Sequence, residues 1–139
     1  MPYAKTFRDL EVYVLSRKLA AEIFVITGSF PKEEIFSLTD QIRRASRSVG
    51  AQIAEAWAKR KYERHFVSKL TDADGELQEC EHWLDVAKDC GYISDITHKE
   101  LFALSMELGR KLNSMSIKAE SFCKTSKSGN NGNSNSCNR

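Results

Sequence analysis

The chain has 139 residues, with 21 Lys plus Arg against 19 Asp plus Glu, 41% hydrophobic residues and two prolines, the make-up of one water-soluble globular core. It has no run of about 18 apolar residues, so no membrane span is expected, and its first residues, MPYAKTFRDLEVY, lack the basic-then-apolar layout of a secretory signal; a cytoplasmic protein is expected. The formal charge of +2 conceals an imbalance: residues 123–139 carry Lys124, Lys127 and Arg139 and no acid, leaving 18 bases against 19 acids before them.

No segment shows sustained strand alternation, and the scarce Gly and Pro residues divide the chain into long helical stretches. The first, about 7–27, has Thr6 and Asp9 as a capping pair and places Phe7, Leu10, Val14, Ala21 and Phe24 or Val25 on one face. Gly28 is positioned to end it with a positive φ. In the connection that follows, Phe30, Ile35 and Phe36 are expected to cover one end of the core. The second helix, about 38–60, has Ser37 as its cap, Asp40 in its first turn and the stripe Leu38, Ile42, Ala45, Val49, Ile53 and Ala56. Gly50 lies within this stripe, where a small residue suits a close approach of two backbones.

The third helix, about 63–90, has the clearest seam: Phe66, Leu70, Ala73, Leu77, Cys80, Leu84 and Ala87 alternate spacings of four and three. Gly91 is its stop. The fourth, about 95–122, is capped by Ser94 or by the Thr97 and Glu100 pair and carries Leu101, Leu104, Leu108, Leu112, Met115, Ala119 and Phe122. Residues 1–122 therefore read as one all-α domain, an antiparallel up-down-up-down four-helix bundle. Residues 123–139, CKTSKSGNNGNSNSCNR, read as a disordered tail.

Little in the chain points to catalysis. Cys80, Cys90, Cys123 and Cys137 lack paired close spacing and read as reduced thiols, with Cys80 on a core seam. Glu79 and His82 match one half of a di-metal Glu-x-x-His pattern, but the seam turns both outward and no second copy exists. His65 and His98 sit near helix ends. No glycine-rich phosphate loop is present. The expectation is a protein that is not an enzyme and has no catalytic residue, metal or cofactor.

Charge is informative. From Gln41 to Phe66 there are seven bases and two acids, Glu55 and Glu63; from Asp72 to Asp89 there are seven acids against Lys88 alone. Arg43, Arg44 and Arg47 lie opposite the apolar stripe of their helix. Either they form a phosphate-binding face for RNA or DNA, extended by Lys59, Arg60, Lys61 and Arg64, or they pair with the acidic third helix of the same or a neighbouring subunit. Apolar residues off the seams form a second feature: Trp83, Val86 and Cys90 on the third helix, Trp57, and Val12, Tyr13, Leu15, Leu19 and Ile23 on the first. They exceed what a monomeric bundle needs, and a homo-oligomer interface is expected at Trp57, Trp83, Val86, Tyr13 and Ile23.

The segments FRDLEVYVLSRKLAAEIF, FPKEEIFSLTDQIRRASRSVGAQIAEAW and EHWLDVAKDCGYI, in this order and spacing, resemble the four-helix-bundle family of 23S rRNA intervening-sequence proteins, which includes the accessory variability determinant of diversity-generating retroelements. The resemblance covers about residues 6–122 and is carried most specifically by Leu38 to Ala45 and by Ile53-Ala54-Glu55. Where the family commonly has asparagine and glycine around that last run, this chain has Gln52 and Ala56. The resemblance implies an antiparallel bundle assembled as a ring-like homopentamer. For the retroelement branch it also implies binding to nucleic acid and to a reverse transcriptase through basic surface residues, which here would include Arg43, Arg44 and Arg47.

Overall fold

The computed structural model describes residues 4–123, and 124–139, where the disordered tail is expected, lie outside the described residues. Within them the chain is all-helical: α1 (Glu11–Thr27), α2 (Leu38–Ala58), α3 (Glu63–Asp89), α4 (Asp95–Ile117) and a single turn, α5 (Ala119–Phe122). Helix α2 packs against α1 and α3, α3 against α4, and α4 back against α1, so that four long helices close around one core.

Three of the four apolar seams are buried as their spacing predicts. Leu38, Ile42, Ala45, Val49, Ile53 and Ala56 of α2, all seven seam residues of α3, and Leu101, Leu104, Leu108, Leu112 and Met115 of α4 are buried. Each large aliphatic or aromatic side chain so removed from water contributes about 1.5–3 kcal/mol.

Helix α1 departs from expectation. Thr6 and Asp9 do form a capping box, but they close one 3-10 turn, Phe7–Asp9, after which Leu10 is extended and the helical phase restarts at Glu11. The buried face is Val12, Ser16, Leu19, Ile23 and Thr27, whereas Val14, Phe24 and Val25 are exposed. Two of the core-facing residues are polar, and each hydroxyl donates within its own helix, Ser16 to the Tyr13 carbonyl at 2.7 Å and Thr27 to the Ile23 carbonyl at 2.8 Å, which removes the penalty of burying them. Ile23, expected at an oligomer interface, is fully buried in the chain's own core together with Leu19.

The helix ends are closed by specific partners, not always the expected ones. Gly28 has φ −62°, so no left-handed residue ends α1. Ser37 makes no side-chain cap; instead Glu34 Oε1 accepts the Leu38 N–H at 3.2 Å. Helix α3 ends in a Schellman motif: Gly91 has φ 77°, its N–H reaches the Lys88 carbonyl, and the Tyr92 N–H reaches the Ala87 carbonyl at 2.9 Å. Ser94 caps α4 by accepting the Thr97 N–H at 3.0 Å.

Gly50 marks a close approach, since a Cβ there would lie 3.1 Å from Ser16 Oγ and 3.5 Å from the Tyr13 ring. Of the residues expected to cover one end of the core, Phe30 is buried against Leu38 and Ala87, but Ile35 is 49% and Phe36 95% exposed. At the opposite end Phe122 stacks on Phe66 with ring centroids 6.0 Å apart, and Cys123, expected in the tail, is buried in the same cluster.

Candidate nucleic-acid interface

The seven expected cations form two groups. Arg43, Arg44 and Arg47 occupy the first half of α2, while Lys59, Arg60, Lys61 and Arg64 surround the turn into α3. Arg47 and Lys59 are twelve positions apart, about 18 Å at 1.5 Å per residue.

Within the first group the three arginines differ. Arg43 is half-buried: Nε donates to Thr27 Oγ1 at 2.7 Å, Nη2 to the Phe24 carbonyl at 3.3 Å, and the guanidinium carbon lies 4.5 Å from the Phe24 ring centroid. It fastens the carbonyl end of α1, where a cation also opposes the negative end of the helix dipole. Arg44 is exposed and pairs with Asp40 at 3.4 Å in its own helix. Arg47 is exposed, 5.8 Å from the Phe24 ring. In the second group Arg60 covers the Trp57 ring at 3.5 Å and donates to the Trp57 carbonyl at 2.8 Å. Lys61 lies 5.7 Å from the Tyr62 ring, and Lys59 and Arg64 are exposed.

A continuous exposed row joins the two groups: Asp40, Arg44, Arg47, Ala51, Glu55, Ala58 and Lys59 follow at helical spacing. Both of its acids are held by cations. Glu55 accepts from Lys69 of α3 at 2.9 Å, and Lys69 also reaches Asp72 at 3.4 Å. That hydrogen bond and the ammonium charge hold the Glu55 carboxyl below the usual carboxylate range, and the same bond raises Lys69. Lys69 was not singled out from the sequence, although its spacing of three from Asp72 was a local hint.

Among the described residues helix α3 makes no ion pair with Arg43, Arg44 or Arg47. Arg44 and Arg47 share with Glu76 and Glu79 a groove of about 460 Å³, lined also by Gln41 and Ser48. No ion pair crosses it among the described residues. Burial, then the charges of Glu79 and Asp72, push the Glu76 carboxyl above its ordinary value.

The remaining interface candidates pack within the chain while keeping some exposure. Tyr13 meets Phe7 edge-on with centroids 4.9 Å apart. Trp57 packs on the main core, and Trp83 and Val86 on the cluster of Phe30, Leu38 and Ala87. The Trp83 indole donates to Glu79 Oε2 at 3.1 Å. The large apolar side chains most open to water are different ones, led by Phe36, Ile117 and Val25. Cys80 is fully buried, and burial pushes its thiol up to about 12, which suits a core hydrophobe and not a nucleophile. Glu79 and His82 are exposed, and among the described residues no three His, Cys, Asp or Glu side chains could hold a metal ion. No described helix is long and apolar enough to cross a membrane.

The family model of the 23S rRNA-intervening sequence protein matches residues 8–114, which span α1, α2, α3 and most of α4. The chain belongs to that family. A crystal structure of a protein of unknown function from the S23 ribosomal protein family of Bacteroides thetaiotaomicron VPI-5482 is similar to it, with TM-score 0.69 and 27% identity over 76% of this chain and 97% of that one. No curated protein matches the chain. Of the two positions at which the resemblance expects other residues, Ala56 is fully buried, and Gln52 is partly buried, with its Oε1 enclosed without a partner and its Nε2 reaching Ser48 at 3.5 Å.

Proposed function

We propose that the protein is a non-enzymatic, oligomeric helical bundle that binds the phosphate backbone of RNA or DNA along the exposed row of α2, without reading sequence. The observation that carries this is the state of the charges in the row: Arg47 and Lys59 have no ion pair among the described residues, while the two acids, Asp40 and Glu55, are both held by cations. Ala51 and Ala58 keep the space between the cations low, so a polyanion can approach the helix. The Arg44 pair with Asp40 is exposed and worth at most about 1 kcal/mol, so a phosphate can displace the carboxylate.

The arrangement belonging to this function is an antiparallel, up-down-up-down bundle. It is supported by the pairing of Thr27 with Arg43, of Ser16 with Gly50, of Glu55 with Lys69 and of Glu11 with Lys111. The number of copies, five, is what the family resemblance implies; burial of α1 against another copy is supported by Val14 and Val25, which are 55% and 73% exposed.

Fluorescence anisotropy with rRNA-derived and random RNA, at salt concentrations of about 50 and 200 mM, tests the proposal. The variant Arg47→Glu/Lys59→Glu/Arg64→Glu leaves Arg43 and its bonds to α1 intact. It is expected to weaken both RNAs alike and to make the salt dependence shallower by roughly one unit per cation that met a phosphate. Binding that ignores salt, or survives the triple reversal, sinks the idea. Light scattering on the same samples is expected to give five times the 15.8 kDa chain mass for parent and variant; a monomeric parent removes the pentamer, and a variant that loses its assembly assigns these cations to subunit contacts instead.

A further inference from the structure

An open groove of about 770 Å³ lies where the start of α1 meets the end of α4. Both of its walls are interrupted helices. Leu10 is extended between the 3-10 turn and α1, and Lys118 breaks the chain between α4 and α5. Packing of ridges into grooves needs regular rows on both partners, and the gap is left where the rows break. Leu10, Val12 and Met115, all buried, form its apolar floor, and Ala4 and Phe122 are half-buried beside them.

The charged residues of the lining are unequal in state. The Asp9 carboxylate accepts the N–H groups of Lys5 at 2.7 Å and Thr6 at 3.1 Å, and Glu11 is paired with Lys111 at 3.1 Å. Lys5 and Lys118 also line the groove, and neither forms an ion pair among the described residues. Both acids are thus engaged, while two ammonium groups stand over an apolar floor.

That combination selects a class of ligand. An inorganic anion leaves the floor wet, and a neutral apolar molecule leaves the ammonium groups unanswered. The volume suits a small organic molecule. Residues 124–139 continue from beside Phe122, but they bring Lys124, Lys127 and Arg139 and no acid, the same sign as the unpaired groups, so charge argues against the chain's own tail as occupant.

We infer that this groove binds a single-chain carboxylate of the fatty-acid class, its methylenes on Leu10, Val12 and Met115 and its head group held by Lys5 and Lys118. The site uses no residue of α2 and is independent of the nucleic-acid reading.

Calorimetric titration of the full chain with octanoate and decanoate, below their micelle concentrations, tests it, with methyl-labelled methionine NMR to report the place. One molecule per chain is expected, tightening by about fourfold for each added methylene that is buried. The Met115 methyl signal is expected to move and that of Met106, which lies outside the groove, to stay. Decyltrimethylammonium, with the same tail and a cationic head, is expected not to bind. Lys5→Glu/Lys118→Glu, at two exposed positions, is expected to weaken decanoate by about tenfold or more, whereas Lys5→Arg/Lys118→Arg and the Arg47→Glu/Lys59→Glu/Arg64→Glu variant bind it like the parent. A parent that binds neither acid overturns the inference, as do equal binding of the cationic amphiphile, no gain from octanoate to decanoate, an unmoved Met115 methyl, or decanoate binding that survives the reversal. Loss of decanoate binding in the α2 triple variant moves the carboxylate to the nucleic-acid row and likewise overturns it.

Discussion

Arg43 and Tyr92 show how much of this surface is committed to holding the bundle. From the sequence, Arg43 differs little from Arg44 and Arg47: all three fall on the side of α2 away from its stripe. Its bonds to Thr27 and Phe24 depend on how α1 and α2 are set against each other, which the pattern within one helix does not contain. Tyr92 is a similar case, with its hydroxyl donating to Glu34 Oε2 at 2.8 Å across 58 positions of chain. That bond, and then burial, raise the phenol from its ordinary 10.0 to about 12. The folded value lies above the unfolded one, so the associated stabilisation is fully present below pH 10.0 and is lost as pH rises through about 12. Ultraviolet titration of the native protein is expected to show a phenol ionising near pH 12 that is missing from Tyr92→Phe. The variant's melting temperature is expected to lose the corresponding fall over that alkaline window.

At the scale of the element, legibility followed amphipathicity. In α2, α3 and α4 the apolar residues outside the seam are few enough that spacing alone identified the buried face. In α1 they lie around much of the circumference, and two positions of the true face are Ser16 and Thr27, whose hydroxyls are satisfied by their own backbone. A phase taken from Phe7 across the non-helical Leu10 holds for those two residues, which pack in the core, but turns the exposed Val14, Ala21, Phe24 and Val25 inward. The same error concealed Phe24, which was assigned to the core and instead gathers Arg43 and Arg47.

Two glycines, one within α3 and one just past its end, make opposite predictions. Gly75 is exposed in mid-helix, and a Cβ there would meet nothing within 4 Å, so Gly75→Ala is expected to stabilise the protein by about 1 kcal/mol. Gly91 occupies the left-handed position of the Schellman motif at φ 77°, so Gly91→Ala is expected to cost about 1 kcal/mol. Urea unfolding midpoints of the two variants, moving in opposite directions from the parent, check both.

For the whole molecule, the total charge of +2 hides an arrangement that is neither uniformly basic nor neutral. Its cations are all visible in the sequence, but their sorting is not: Arg43 is bonded to α1, Arg44 is in a weak exposed pair with Asp40, and Arg60 lies on Trp57. That sorting needed the geometry of neighbouring helices, whereas the four-helix plan followed from seams and caps within each.

The spacing between the two cation groups makes α2 a ruler. A stacked strand places a phosphate about every 3.4 Å, so the roughly 18 Å from Arg47 to Lys59 corresponds to about five or six nucleotides. Oligonucleotides shorter than this reach one group only, and longer ones bridge both, the second contact being made at the high effective concentration set by the first. Affinity measured over a series of lengths is expected to climb steeply across that threshold and then flatten, whereas a smooth rise from the shortest fragment would show that the two ends of α2 do not act on one strand.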